Sequence, residues 1–241
     1  MKGIVLAGGM GTRLNDLTRV TNKHLLSIYD KPMIFYPIMR LREAGIEDIM
    51  IVIGGQALGH FIQLLGSGKY LGVNLTYRVQ DEPDGIAGAL GLCKDFVGGD
   101  TCCVILGDNI FMENLGDCVK QFEDGQMDAQ VQILPVDDPE RYGVVERNEL
   151  GEVISIEEKP RNPRSRWIAT GIYLYRPTVF NIISTLKKSG RGEFEITDVN
   201  NEFLKRKKLG AAHLMSYWID AGTIESLAAV SDFMRGCAND I

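Results

Sequence analysis

The sequence predicts an α/β fold, a mixed, mostly parallel sheet with helices on both faces. Three observations carry that prediction. Through the first half, short β-branched runs alternate with longer amphipathic stretches, the pattern of successive βαβ units. The first run, Gly3–Ala7, is apolar on both faces, as a central parallel strand must be. In the second half, turn-rich segments such as Asp137–Pro139 and Lys159–Pro163 separate the apolar runs, which adds partly antiparallel strands.

Taken in order, the strands of the first half fall at Gly3–Ala7, Asp48–Ile53, Asn74–Val79 and Thr101–Leu106. Pro32–Ala44 reads as a helix because a proline presets its first turn and Gly45 follows its end. Leu58–Leu65 and Gly85–Phe96 repeat apolar residues three and four apart and supply the other crossover helices. Further strands follow at Ala129–Val136, Gly143–Glu146, Val153–Glu157 and Ile168–Tyr175. Helices at Pro177–Lys187, Thr197–Arg206 and Thr223–Arg235 close the chain, the middle one with Thr197 as N-cap and Asp198 in its first turn. No internal repeat, low-complexity tract or linker interrupts this order, so residues 1–241 read as one domain.

A chain of 241 residues buries roughly 70–75% of the surface its unfolded form exposes, and needs no staples to build a core. Its 45% hydrophobic and 24% charged residues are the mixture of a globular protein, which excludes disorder. A net charge of −6 argues against a general nucleic-acid binder, so an anionic ligand would have to meet locally focused charge. Cys93, Cys102, Cys103, Cys118 and Cys237 form no CxxC pair and read as free thiols, and Cys102 and Cys103, inside an apolar run, pack as small hydrophobes. No signal peptide opens the chain and no apolar run reaches the roughly 20 residues a bilayer requires. These features place the protein in the cytoplasm, away from membranes. His24, His60 and His213 make neither a metal face nor a triad, and read as structural or solvated.

The first strand runs directly into Gly8-Gly9-Met10-Gly11-Thr12-Arg13. Glycines there let successive N–H groups turn toward an anion at the carboxyl end of a strand, where open α/β sheets bind ligands. The same glycines suit an ordinary tight βα turn. The loop has neither the Lys-Ser/Thr ending of a P-loop nor the third glycine of a dinucleotide fold, which sets aside a nicotinamide-dependent dehydrogenase. What distinguishes it is the pair of cations that follows, Arg13 and Lys23, both able to reach one polyphosphate.

Leu6–Leu14, Asn22-Lys23-His24-Leu25-Leu26 and Tyr29-Asp30-Lys31-Pro32-Met33-Ile34 together resemble the opening of the sugar nucleotidyltransferase family, the glucose-1-phosphate thymidylyltransferases in particular, and the likeness runs nearly end to end. The resemblance implies a Rossmann-like fold of the nucleotide-diphospho-sugar transferase type, with a nucleotide-binding half over about residues 1–125 and a sugar-binding half over about 126–241. It implies Mg²⁺-dependent transfer of a deoxythymidylyl group from dTTP to glucose 1-phosphate, giving dTDP-glucose and pyrophosphate. By the same likeness Leu6, Gly8, Gly9, Gly11 and Thr12 wrap the triphosphate, Arg13 and Lys23 meet its charge, and Gln80, Pro83 and Gly85 bound the base. The chain departs from the family pattern at Asn15-Asp16, where Tyr-Pro is common, at Gly88, where glutamine is usual, and at Phe194, which replaces a leucine.

Asp108 ends the fourth strand where phosphates would lie, and a carboxylate there repels them unless a cation intervenes. Asp220, in the motif Trp218–Thr223, matches the family's second metal aspartate, so Asp108 and Asp220 are the expected Mg²⁺ ligands, with Asp108 also at the nucleotide. On the sugar side the likeness assigns Asn109, Gly143, Glu158, Lys159, Thr170 and Arg191, with Lys159 joining Arg13 and Lys23 as catalytic cations; read alone, Glu157-Glu158-Lys159 is an exposed charged strand end. No His or Ser nucleophile is needed, because the attacking phosphate is already anionic. Two other readings stand beside this one: a UTP-dependent uridylyltransferase or a different sugar phosphate such as N-acetylglucosamine 1-phosphate, and a non-catalytic nucleotide-sugar sensor. The family likeness implies homo-oligomers, and longer members carry an extension that shapes a feedback site, so feedback of that kind is not expected.

Overall fold

The computed structural model of the chain describes residues 1–9 and 11–239; Met10, inside the glycine loop, lies outside the described residues, as do Asp240 and Ile241. The first half comprises β1 (Lys2–Ala7), the two-residue strands β2 (Ser27–Ile28) and β3 (Lys31–Pro32), α1 (Phe35–Glu43), β4 (Asp48–Gly54), α2 (Leu58–Leu65) and β5 (Asn74–Gln80). It continues with α3 (Gly85–Gly91), α4 (Lys94–Val97), β6 (Cys102–Leu106), β7 (Asn109–Phe111) and α5 (Gly116–Asp124). The second half holds β8 (Ala129–Pro135), β9 (Gly143–Arg147), β10 (Val153–Glu158), β11 (Trp167–Tyr175), α6 (Val179–Ile183), α7 (Ile196–Lys205), β12 (Leu209–His213), β13 (Trp218–Asp220) and α8 (Ile224–Asn239).

Strands β5, β4, β1 and β6 lie side by side and parallel, and β11 continues the sheet antiparallel to β6. Beyond β11, β8 pairs antiparallel and β12 then runs parallel to β8. The hairpin β9–β10 attaches to the opening residues of β11, Ile168 and Ala169. The sheet is therefore mixed, and parallel through β5, β4, β1 and β6. Alternation along β1 divides the core: Ile4 and Leu6 face α3, α6 and α7, whereas Val5 and Ala7 face α1, α2 and α5. A third apolar cluster holds α8 to the β2–β3 hairpin through Ile28, Met33, Tyr36, Ile110 and Val230.

Several element boundaries differ from expectation for physical reasons. The helix expected over Pro32–Ala44 starts at Phe35, because Pro32 pairs with Ser27 to close the β2–β3 hairpin. The helix expected over Gly85–Phe96 breaks at Leu92–Cys93 into α3 and α4. Only Val179–Ile183 of Pro177–Lys187 is helical. Thr197 is not an N-cap: Glu195 precedes Ile196 in extended backbone, and the Thr197 hydroxyl instead donates to Glu158 at 2.6 Å. Cys102 and Cys103 are fully buried in β6, and burial pushes both thiols well up from their ordinary value. Among the described residues no helix is long and apolar enough to cross a membrane.

Strand order reverses at β1, which has β4 on one side and β6 on the other, and the loops leaving β1 and β6 part there. Such a switch point opens a crevice at the carboxyl ends of the strands. At the opposite end of β11, the Tyr175 hydroxyl donates to Asn200 Oδ1 at 2.7 Å inside the core, tying the sheet to α7. Tyr175→Phe leaves that buried amide oxygen without its donor and is expected to lower stability by about 1–3 kcal/mol in denaturant unfolding; a change under about 0.5 kcal/mol contradicts the role given to this bond.

Candidate active site

The crevice at the switch point is a cavity of about 290 Å³ bounded by Leu6, Gly8, Gly9, Lys23, Gln80, Pro83, Gly85 and Asp108, all eight expected at the nucleotide. A wider cleft of about 440 Å³ shares Gly8, Gly9, Gln80 and Pro83 with it and extends between Thr18–Asn22 and Gly54–Ala57. Gly8 lies close under Gln80: a Cβ there would stand 2.7 Å from Gln80 Oε1 and push the amide aside. Gly11 and Thr12 form the turn into a short 3₁₀ segment, Thr12–Thr18, in which Asn15 takes a positive φ of 49°.

Lys23 and Asp108 form a buried ion pair between Nζ and Oδ2. Burial pushes the Asp108 carboxyl upward, but the adjacent ammonium outweighs it and holds the group well below the usual carboxylate range. Asp220 lies beside this pair because β13 runs antiparallel to β7 with Asp220 opposite Asn109, and Ala221 N–H donates to the Asp108 carbonyl at 2.9 Å. Its carboxyl is raised, first by burial and then by the charge of Asp108. Asp220 Oδ1 is buried without a partner, and Oδ2 stands 3.7 Å from the half-exposed Arg13 guanidinium. Two carboxylates, one with an orphaned oxygen, form a donor set that suits a hard divalent cation completed by phosphate oxygens and water.

The sugar-side residues divide into two groups. Gly143, Glu158 and Arg191 come together: a Cβ at Gly143 would lie 3.5 Å from Glu158 Oε2, and Arg191 Nη1 lies 3.6 Å from Glu158 Oε1. Arg191 also pairs with Glu193 at 2.5 Å and Glu195 at 3.2 Å. Lys159, with φ of 44°, holds its ammonium 3.8 Å from Glu158. Asn109 and Thr170 instead point inward. Asn109 Oδ1 accepts from Gly171 N–H at 2.9 Å and from Trp218 Nε1–H at 2.8 Å, and its amide donates to Asp108 Oδ1 at 3.2 Å. The Thr170 hydroxyl donates to the Gln132 carbonyl at 3.0 Å.

The cavity also contains His24, Ile86 and Glu193, none of which the motifs singled out. Tyr142 stacks edge-on to Trp218 at 5.6 Å, and burial, with Asp220 nearby, pushes its hydroxyl up to about 12. His24 is fixed by Asn22, whose Oδ1 accepts from the His24 N–H at 2.9 Å and stands 2.7 Å from Nδ1, so Nδ1 carries the proton. The ring passes beneath Gly107, where a Cβ would meet it at 2.6 Å. His60 and His213 are exposed.

Burial, reinforced by Lys23, lowers His24 from 6.5 to about 3. Between those values the unfolded chain binds a proton that the folded chain refuses, so His24 makes stability fall as pH drops, by at most about 1.4 kcal/mol per pH unit. His24→Gln is expected to flatten the decline in melting temperature between pH 6.5 and about 5, where few carboxylates titrate. An unchanged slope would count against a neutral buried His24.

A family model described as nucleotidyl transferase matches residues 2–236. The chain is 44% identical over 238 residues to the glucose-1-phosphate thymidylyltransferase of Mycolicibacterium smegmatis, covering 98% of this chain and 82% of that protein. It is 45% identical over 237 residues to that of Xanthomonas campestris pv. campestris, covering 97% and 80%. Among solved structures, a Bacillus anthracis protein assigned as a glucose-1-phosphate thymidylyltransferase, in complex with a sucrose, superposes with a TM-score of 0.94 at 49% identity, over 98% of this chain and 95% of that one. A UDP-glucose pyrophosphorylase complexed with UDP-glucose superposes at 0.86 with 25% identity, over 98% of each chain. With a crevice built from Gly8, Lys23, Asp108 and Asp220 and these relatives along nearly its whole length, the chain belongs to the nucleotidyl transferase family.

Proposed function

We infer that the chain transfers the deoxythymidylyl group of dTTP to glucose 1-phosphate, forming dTDP-glucose and releasing pyrophosphate. One observation carries the reading: the cavity walled by the glycine loop, Lys23 and Asp108 is bordered by Glu193, which pairs with Arg191, and Arg191 and Lys159 are the cations beside Glu158. Two anion sites in one crevice are what a reaction between two phosphates requires. The relatives named above carry the same activity in their names.

A phosphate oxygen of the sugar phosphate attacks the α-phosphorus, a new P–O bond forms, and the bond from the α-phosphorus to the bridging oxygen of pyrophosphate breaks. The nucleophile carries its own negative charge, so no side chain has to remove a proton. Lys23 and Arg13 offset charge on the triphosphate, and Arg191 and Lys159 orient the sugar phosphate for in-line approach. Glu158, held by the Thr197 hydroxyl, accepts hydrogen bonds from sugar hydroxyls. Gln80, Pro83 and Gly85 border the place for the base. Asp108 and Asp220 would hold Mg²⁺, which when bound neutralises phosphate charge. We read the chain as one domain with a nucleotide half and a sugar half. Its free thiols suit a reducing compartment, the cytoplasm.

Pyrophosphate release with glucose 1-phosphate and, in parallel, dTTP, UTP, CTP, ATP and GTP tests the class and the base together. The expected order puts dTTP first; a strong preference for UTP would make the protein a uridylyltransferase, and nucleotide binding without turnover would make it a sensor. Asp108→Asn is expected to lower kcat by about 10²–10³-fold and also to lower the melting temperature, because Lys23 loses its buried partner; near-normal turnover would remove Asp108 from the metal site.

A further inference from the structure

Residues Ser189–Thr197 form a strap between the two substrate regions. Its centre, Phe194, is clamped to the start of α3 by its main chain: the Phe194 N–H donates to the Asp84 carbonyl at 2.8 Å, and its carbonyl accepts from Ala87 N–H at 3.2 Å. That approach needs glycine at Gly85, where φ is +85° and a Cβ would stand 2.8 Å from the Phe194 oxygen. The phenyl ring lies over Gly88, so that a Cβ at Gly88 would stand 3.4 Å from Cδ2 and only 2.8 Å from Asp84 Cβ. Lys188, paired with Asp84, places its ammonium 5.4 Å from the ring centroid. Both departures from the family pattern on this side of the crevice thus meet in one contact, an aromatic ring filling the room a missing side chain leaves.

Within a few residues the strap touches both sites. Glu193 borders the nucleotide cavity. Arg191 bonds Glu193 and reaches Glu158, while Glu195 accepts from Ser189 Oγ at 2.7 Å and pairs with Arg191. Five residues from Arg191 to Glu195 cannot shift at Phe194 without moving Glu193 and Arg191 together. We propose that Phe194, seated on Gly88, is a positioning residue that holds the nucleotide wall and the sugar-phosphate cation in register, so that one side chain sets the affinity for both substrates. The inference rests on the two-substrate reading above.

The full chain carrying Phe194→Ala, Phe194→Leu or Gly88→Ala tests this by two measurements. In amide exchange without ligand, Phe194→Ala is expected to speed exchange at Phe194 and Ala87; unchanged exchange overturns the seat. In steady-state kinetics, Phe194→Ala is expected to raise KM for nucleotide and for sugar phosphate together, each by about five- to tenfold, with kcat within about threefold. Phe194→Leu, which keeps an apolar filler, falls between wild type and Phe194→Ala and serves if the alanine variant does not fold. Gly88→Ala, whose Cβ would stand 2.8 Å from Asp84 Cβ and crowd the residue that receives the Phe194 N–H, is expected to shift both KM values in the same direction. Faster exchange with unmoved KM values, a rise for one substrate only, or a loss confined to kcat overturns the proposal, since a merely structural defect lowers the active fraction and leaves KM alone. A wild-type chain that turns over neither substrate overturns the functional reading instead, and amide exchange then decides the seat by itself.

Discussion

An ammonium and a carboxylate removed from water together, Lys23 and Asp108, hold the crevice in shape. Each is buried, and each would be expensive to leave alone, on the order of 3–5 kcal/mol when one partner of such a pair is lost. The pair joins the chain that follows the glycine loop to the tip of β6. Asn22 extends that join by donating to the Ala7 carbonyl at 3.3 Å while bonding His24. The Asp108 carbonyl in turn receives Ala221, which brings Asp220 and the start of α8 to the same place. The position of the loop therefore depends on electrostatics at the strand tips, while the strands beneath it depend on apolar packing against both faces.

The proposed two-phosphate site draws its cations from a chain of net charge −6. Arg13 stands beside Asp220, Lys159 beside Glu158, and Arg191 among Glu158, Glu193 and Glu195. Every one of these cations has an acidic neighbour. The partly exposed pairs add little to stability on their own, but they hold long side chains near the geometry a ligand will use.

Parts of this structure were legible in the sequence because their physical signal is local. Gly3–Ala7, Asp48–Ile53 and Thr101–Leu106 are apolar on both faces, which only a covered parallel strand explains, and each proved a strand to within a residue or two. β12 escaped notice because Leu209–His213 contains a glycine and two alanines and offers little alternation; pairing with β8 makes it a strand. β7 pairs with β13, more than a hundred residues later in the chain, and the β2–β3 hairpin has strands of two residues each, too short for alternation to show, so Pro32 reads as a helix start when seen alone. Within the crevice, Lys23, Asp108 and Asp220 stood out as charged residues at motif positions. Glu193 reaches the cavity because the strap docks on α3, more than a hundred residues earlier in the chain. The surroundings of Asn109 were hidden for a similar reason: nothing local reveals that Gly171 and Trp218 both donate to its oxygen.

The pairing of every crevice cation with an acid has a consequence for how substrates arrive. A cleft lined with unopposed positive charge projects a field that draws anions from many ångströms away and accelerates diffusional capture, steeply so at low ionic strength. Here each of these cations stands within 4 Å of a carboxylate, so its charge is opposed at close range. Capture of a nucleotide then depends on exchange of partners at contact, carboxylate for phosphate, and selectivity among the abundant anions of a cell is exercised at that step rather than during the approach.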